Sequence, residues 1–98
     1  MAAMSVQRII VHGRVQGVNF RSFVEAEADR LRVEGWVRNL DDGAVEALFA
    51  GPEVKVRATI ELCRIGPSYA NVTRVELLPA SENDLKLRRA GDKFSRLG

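Results

Sequence analysis

Apolar positions change period several times along this chain of 98 residues, and each change marks an element. Val6 to Val11 is a short run rich in Val and Ile, the composition of a strand. From Phe20 the period lengthens. Phe20, Phe23, Val24, Ala28 and Leu31 lie at offsets of three, four, eight and eleven, which is one face of a helix. Asn19 stands where an N-cap belongs, and Gly35 where that helix should end. Trp36-Val37-Arg38-Asn39 begins a second strand, and Asp42-Gly43 signals a hairpin. Ala44 to Ala50 follows as a third strand, with Val45, Ala47 and Phe49 on one face.

Gly51-Pro52 and Gly66-Pro67 bracket the next segment, in which Val56, Thr59, Ile60 and Cys63 form a helical stripe. The alternation Val54, Val56, Ala58, Ile60, Leu62 would also suit a strand, but the brackets and the thirteen-residue length favour a helix. Val72 to Leu78 reads as a fourth strand, stopped by Pro79. In the tail, Leu85-Lys86-Leu87 and Lys93-Phe94-Ser95 are both candidates for a last strand.

The order β-α-β-β-α-β predicts an α+β fold, a ferredoxin-like sandwich with two helices on one face of an antiparallel sheet. No linker, repeat or low-complexity segment interrupts residues 1–98, so a single domain is expected, with residues 1–5 a disordered N-terminus. The absence of a basic segment followed by an apolar one at the start leaves the cytoplasm as the expected compartment. No run of about 18 apolar residues is present, so no membrane span is expected.

Composition is ordinary, at 46% hydrophobic and 29% charged residues. The net charge is +2, and twelve of the fifteen cations are arginine, scattered along the chain. That scatter argues against a nucleic-acid surface and suits a small anionic ligand. Cys63 is the only cysteine, which excludes an internal disulfide and a multi-cysteine metal site, and its place on an apolar stripe reads as core. His12, the only histidine, reads as a surface residue at a strand end. Asp41 and Asp42 read as turn residues before Gly43, and not as metal ligands. Arg38 should face away from Asn39, Trp36 should be packed, and Arg88-Arg89 should be a solvated pair.

The stretch between the first strand and the first helix, VHGRVQGVNFR at residues 11–21, carries the chemistry. Gly13 and Gly17 permit positive φ, and a bend through Arg14, Val15 and Gln16 can turn successive N–H groups inward as an anion nest. The helix that follows adds free N–H groups and partial positive charge. Arg21 stands in its first turn, away from the apolar face. A cation there is unfavourable by a few tenths to about 1 kcal/mol, which a bound phosphate would offset. Spacing alone leaves two readings open: a phosphate cradle, and a plain strand-to-helix turn with an exposed arginine. No Gly-Lys-Ser/Thr follows, so this is not a Walker loop.

GRVQGVNFR, residues 13–21, resembles the acylphosphatase signature Gly-x-Val-Gln-Gly-Val-x-Phe-Arg. GWVRNLDDGAVE, residues 35–46, resembles the second signature of that family, Gly-x-Val-x-Asn-x-x-Asp-Gly-x-Val-Glu, and Ile65-Gly66-Pro67 its helix-ending Gly-Pro. The resemblance spans residues 6–79 and implies the same ferredoxin-like fold. It implies hydrolysis of the carboxyl-phosphate bond of acyl phosphates to a carboxylate and inorganic phosphate, without metal, cofactor or phosphoenzyme. By the same resemblance the phosphate loop falls on Gly13, Arg14, Val15, Gln16, Gly17 and Val18, mainly through backbone N–H groups. The substrate-binding arginine falls on Arg21 and the catalytic asparagine on Asn39.

Such a small cast suffices chemically. A carboxylate leaves readily, and the loose transition state of phosphoryl transfer spreads charge over the equatorial oxygens, so positioning and electrostatics can carry the rate. The expected partners are a small acyl phosphate and inorganic phosphate or a similar anion, with no nucleic acid, no membrane, and a monomeric state.

Two positions depart from the family pattern. Leu40 stands where Thr or Ser usually follows the asparagine, and KFSRLG replaces a longer Phe-x-Ile strand, so the fifth strand should be short or frayed. These departures keep a second reading open, a catalytically silent phosphate-binding domain of the same fold. A module of hydrogenase maturation proteins is disfavoured by the length. An RNA-binding module is disfavoured because AVEALFA, residues 44–50, has one Phe and no basic residue.

Overall fold

Alternation along the first strand decides which way the sheet faces. Ile9 and Val11 are fully buried, while Arg8 and His12 stand on the opposite side. The computed structural model describes residues 3–98. Its elements are β1 (Met4–Arg14), α1 (Phe20–Leu31), β2 (Glu34–Asn39), β3 (Val45–Pro52), α2 (Glu53–Ile65), β4 (Asn71–Leu78), a 3₁₀ segment (Glu82–Leu87) and β5 (Phe94–Arg96). They form one five-stranded sheet in the order β4-β1-β3-β2-β5. Ile9, Val11, Val37, Val45, Ala47, Phe49 and Phe94 point from it into a core closed by Phe20, Val24 and Ala28 of α1 and Val56, Ile60 and Cys63 of α2. The stripe read from α2, including Thr59, is the set that is buried. No helix among the described residues is long and apolar enough to cross a membrane.

Four strands pair antiparallel, but β5 runs parallel to β2, so the sheet is mixed and not wholly antiparallel. Of the two candidates for the last strand, Phe94 to Arg96 is the strand and Leu85-Lys86-Leu87 belongs to the 3₁₀ segment. Two acidic groups and a capping box at Ser81 favour a helical turn there. That segment lies over the sheet face away from the helices, where Asp84 O accepts the Trp36 Nε1–H at 2.8 Å.

Strand β1 begins at Met4, inside the stretch expected to be disordered. Met4 pairs with Pro52 and Ser5 with Gly51, and the Ala3 carbonyl accepts the Glu53 N–H. Residues 1 and 2 lie outside the described residues. Helix α1 ends earlier than expected. Arg32, not Gly35, takes the left-handed turn (φ 59°), and the N–H groups of Arg32 and Val33 close a Schellman-type cap on Asp29 and Ala28. Gly35 serves β2 instead, where an added Cβ would stand 1.8 Å from the Leu48 carbonyl oxygen. The Arg88-Arg89 pair is not simply solvated, because Arg88 bridges Glu34 at 2.7 Å and the Lys93 carbonyl at 3.1 Å.

Candidate active site

Strands β1 and β2 point the same way, since each is antiparallel to the β3 between them, and β5 is parallel to β2. The C-terminal ends of all three therefore reach one edge of the sheet. A cleft of about 190 Å³ opens there, lined by Val15, Gln16, Gly17, Asn19, Phe20, Arg21, Ser22, Asn39 and Arg96.

The loop is fixed from below. The side chains of Val15 and Val18 are buried in the core, which turns their main chain outward. Gly17 takes φ 75°, a conformation only glycine adopts readily, and an added Cβ would meet nothing within 4 Å. The Gln16 side chain does not point into solvent. Its Nε2 donates to the carbonyls of Leu40 at 2.7 Å and Ala44 at 2.9 Å, tying the loop to the turn that follows Asn39. Leu40 thus contributes through its main chain, and its N–H also bonds the Ala44 carbonyl at 2.8 Å.

Asn19 occupies the N-cap position of α1 but does not cap with its side chain. Its backbone is left-handed (φ 64°) and its carbonyl accepts the Phe23 N–H. With no side-chain cap and no acid in the first turn, the leading N–H groups of α1 remain open to an anion at the cleft. Arg21 follows, half-buried, and its Nη1 donates 2.6 Å to the Leu97 carbonyl.

Three of the six expected loop residues, Val15, Gln16 and Gly17, line the cleft together with Arg21 and Asn39. Gly13 and Arg14 do not line it. They belong to β1 and pair with Val72 and Asn71 of β4, across a register shift between His12 and Gly13. Val18 does not line it either, because its side chain is part of the core.

Other singled-out residues stand apart. Arg38 faces the far side of the sheet, 5.0 Å over the Trp36 ring and 2.7 Å from Glu46, a buried carboxylate also held by Arg8 at 2.8 Å. His12 pairs with Glu76 on that same far side. Asp42 Oδ1 accepts the Ala44 N–H at 3.0 Å, the turn role expected of it. Among the described residues no group of three His, Cys, Asp or Glu could hold a metal ion. Sequence reasoning missed Arg96. The signal was present in the two-residue spacing Phe94-x-Arg96, which puts both on one side of a strand, but the tail strand itself was ambiguous.

Comparisons with known proteins agree with this fold. The Acylphosphatase family model matches residues 7–94. An acylphosphatase of Rhodopseudomonas palustris (strain BisB18) is 54% identical over 92 residues, covering 94% of this chain and 93% of its own length. The crystal structure of acylphosphatase from Bacillus subtilis superposes with a TM-score of 0.81 at 38% identity, over 98% of this chain and 100% of that one. The structure of T. kodakarensis HypF carries a similar fold in 12% of its chain, with a TM-score of 0.71 at 32% identity over 93% of this chain. The chain described here belongs to the acylphosphatase family.

Proposed function

We propose that acyl phosphate hydrolysis, the reaction of the family to which this chain belongs, takes place in this cleft by attack of a water that Asn39 orients. The phosphoryl group sits on the N–H groups of the Val15-Gln16-Gly17 stretch and the start of α1, with Arg21 pairing two of its oxygens. Asn39 accepts a hydrogen bond from the water and aims it in line with phosphorus. A neutral amide is a poor base, so its contribution is orientation, and the departing carboxylate needs no strong acid. The observation that carries this reading is the meeting of Arg21 and Asn39, from α1 and β2, on one small cleft beside an uncapped helix start. The mixture of arginine and main-chain donors meets the phosphoryl charge without a metal. The reading is of a monomeric cytoplasmic enzyme, and the unpaired, buried Cys63 suits that compartment.

The test is hydrolysis of benzoyl phosphate by the purified protein and by Asn39→Ala, with inorganic phosphate as inhibitor and EDTA present throughout. Wild-type turnover should be insensitive to EDTA. Asn39→Ala should lose roughly a hundredfold or more in kcat while phosphate still inhibits at a similar concentration. An Asn39→Ala protein with wild-type kcat would sink the water-orienting role. Phosphate binding without any wild-type turnover would mark a silent phosphate-binding domain.

A further inference from the structure

The cleft is lined by two arginines and by no carboxylate. Arg21 and the main-chain N–H groups come from the β1–α1 side, which leaves the charge of Arg96 to be explained. Arg96 stands in β5 opposite Val37 of β2, and alternation puts it on the same side of the sheet as Phe94, toward α1. Its Nη1 donates to the Ser22 hydroxyl, and its Nε lies 3.8 Å from Glu25 Oε1. That ion pair is at the long limit for a salt bridge, and 46% of the Arg96 side chain remains exposed. A guanidinium has five N–H donors, so these two contacts leave donors unused on a side chain that lines the cleft.

We propose that Arg96 is a specificity-determining residue that reads the acyl half of the substrate, favouring acyl groups that carry a carboxylate of their own. The proposal rests on the reading above, in which Arg21 and the loop hold the phosphoryl group. A carboxylate on the acyl group would replace the long Glu25 contact with a short charge-assisted pair to a cation already ordered by Ser22. The contacts also permit a purely structural role, in which Arg96 clamps β5 to α1. A clamp would alter stability and the turnover of every substrate alike. It would not tell one acyl group from another.

The experiment compares kcat/KM for 4-carboxybenzoyl phosphate and benzoyl phosphate, which differ only by the carboxylate, in the wild type, Arg96→Gln, Arg96→Ile and Arg21→Ala. The ratio of the two values does not depend on how much of a variant is folded. The wild type should prefer the carboxylated substrate, and the ratio should fall about tenfold in both Arg96 variants. A ratio that stays constant, including one where both substrates fall together, overturns the proposal and leaves Arg96 as a clamp or a phosphate ligand. Arg21→Ala separates the two levels of the argument. Its turnover should collapse on both substrates, and if it does not, the phosphoryl assignment fails independently of the Arg96 ratio.

Discussion

Arg21 Nη1 donates 2.6 Å to the main-chain carbonyl of Leu97, so the first turn of α1 and the end of the sheet are joined through the side chain that lines the cleft. The bond leaves the guanidinium fork with donors to spare and restricts its rotamers. A lysine in its place would gather its three donors on one nitrogen and lack the planar fork that can pair two phosphoryl oxygens side by side while holding the carbonyl.

Arg21→Lys should therefore lose about a hundredfold in kcat/KM for benzoyl phosphate, and Arg21→Ala about a thousandfold or more. Both should retain a cooperative thermal transition, because Arg21 is not part of the core. An Arg21→Lys enzyme at wild-type activity would mean that charge alone is required, and that the fork geometry and the Leu97 bond are incidental.

Gln16 makes a different kind of contribution. Its amide bridges the β1–α1 loop to the Leu40 and Ala44 carbonyls, so it couples that loop to the turn behind Asn39. Gln16→Ala removes two hydrogen bonds, worth about 1–2 kcal/mol together in stability. That corresponds to a fall in Tm of roughly 5–15 °C for a domain of this size. The kcat for benzoyl phosphate should fall by about tenfold or more, since loop and water-orienting amide are no longer in fixed register. Unchanged kcat beside a lowered Tm would show that the bridge supports the fold without supporting the chemistry.

The two glycines of the signature should respond in opposite ways. At Gly13, φ is 121° and an added Cβ would stand 2.1 Å from the Asn71 carbonyl oxygen, inside the bulge between β1 and β4. Gly13→Ala should destabilise by about 3 kcal/mol or more, measured by urea unfolding. At Gly17 there is open space and only the left-handed backbone to strain, a cost of about 1–2 kcal/mol. Gly17→Ala should fold and instead weaken phosphate inhibition, because the loop N–H groups are held by that conformation. Equal stability losses at the two positions would contradict this division of a structural and a cradle glycine.

Much of this was legible in the chain itself. The helical stripe of α2 and the Val45, Ala47, Phe49 face of β3 are long enough to survive their context. The places that were not legible share a physical cause. Asn19 has the residue type of an N-cap, but its left-handed backbone removes its side chain from that duty. Gly35 ends nothing, because its smallness is required by a close strand crossing that only the sheet register reveals. The three-residue β5 is too short for any periodicity, and its parallel partner β2 lies far off in sequence. Arg96 was lost with it. The Leu97 and Leu40 contacts are main-chain contacts, about which side-chain identity says nothing.

Cys63 provides a test of the core by pH. Burial pushes its thiol up from 9.0 to about 12, and the nearby Glu27 carboxylate acts in the same direction. At pH 8 the thiol is protonated in both folded and unfolded chains and contributes nothing to the pH dependence. Between pH 9 and 12 the unfolded chain releases a proton that the folded chain keeps, so stability falls as pH rises. The slope is about 1.4 kcal/mol per pH unit, or about 2 kcal/mol by pH 10.5. Cys63→Ala lacks this proton. It should be less stable than wild type at pH 8, because it leaves a small cavity, and the gap should narrow by about 2 kcal/mol at pH 10.5 when both are followed by urea unfolding. Parallel stability curves would mean that the thiolate is accommodated in the folded core. The same burial predicts that a thiol reagent at pH 8 modifies Cys63 only as fast as the chain opens, so modification should accelerate with added urea below the unfolding midpoint.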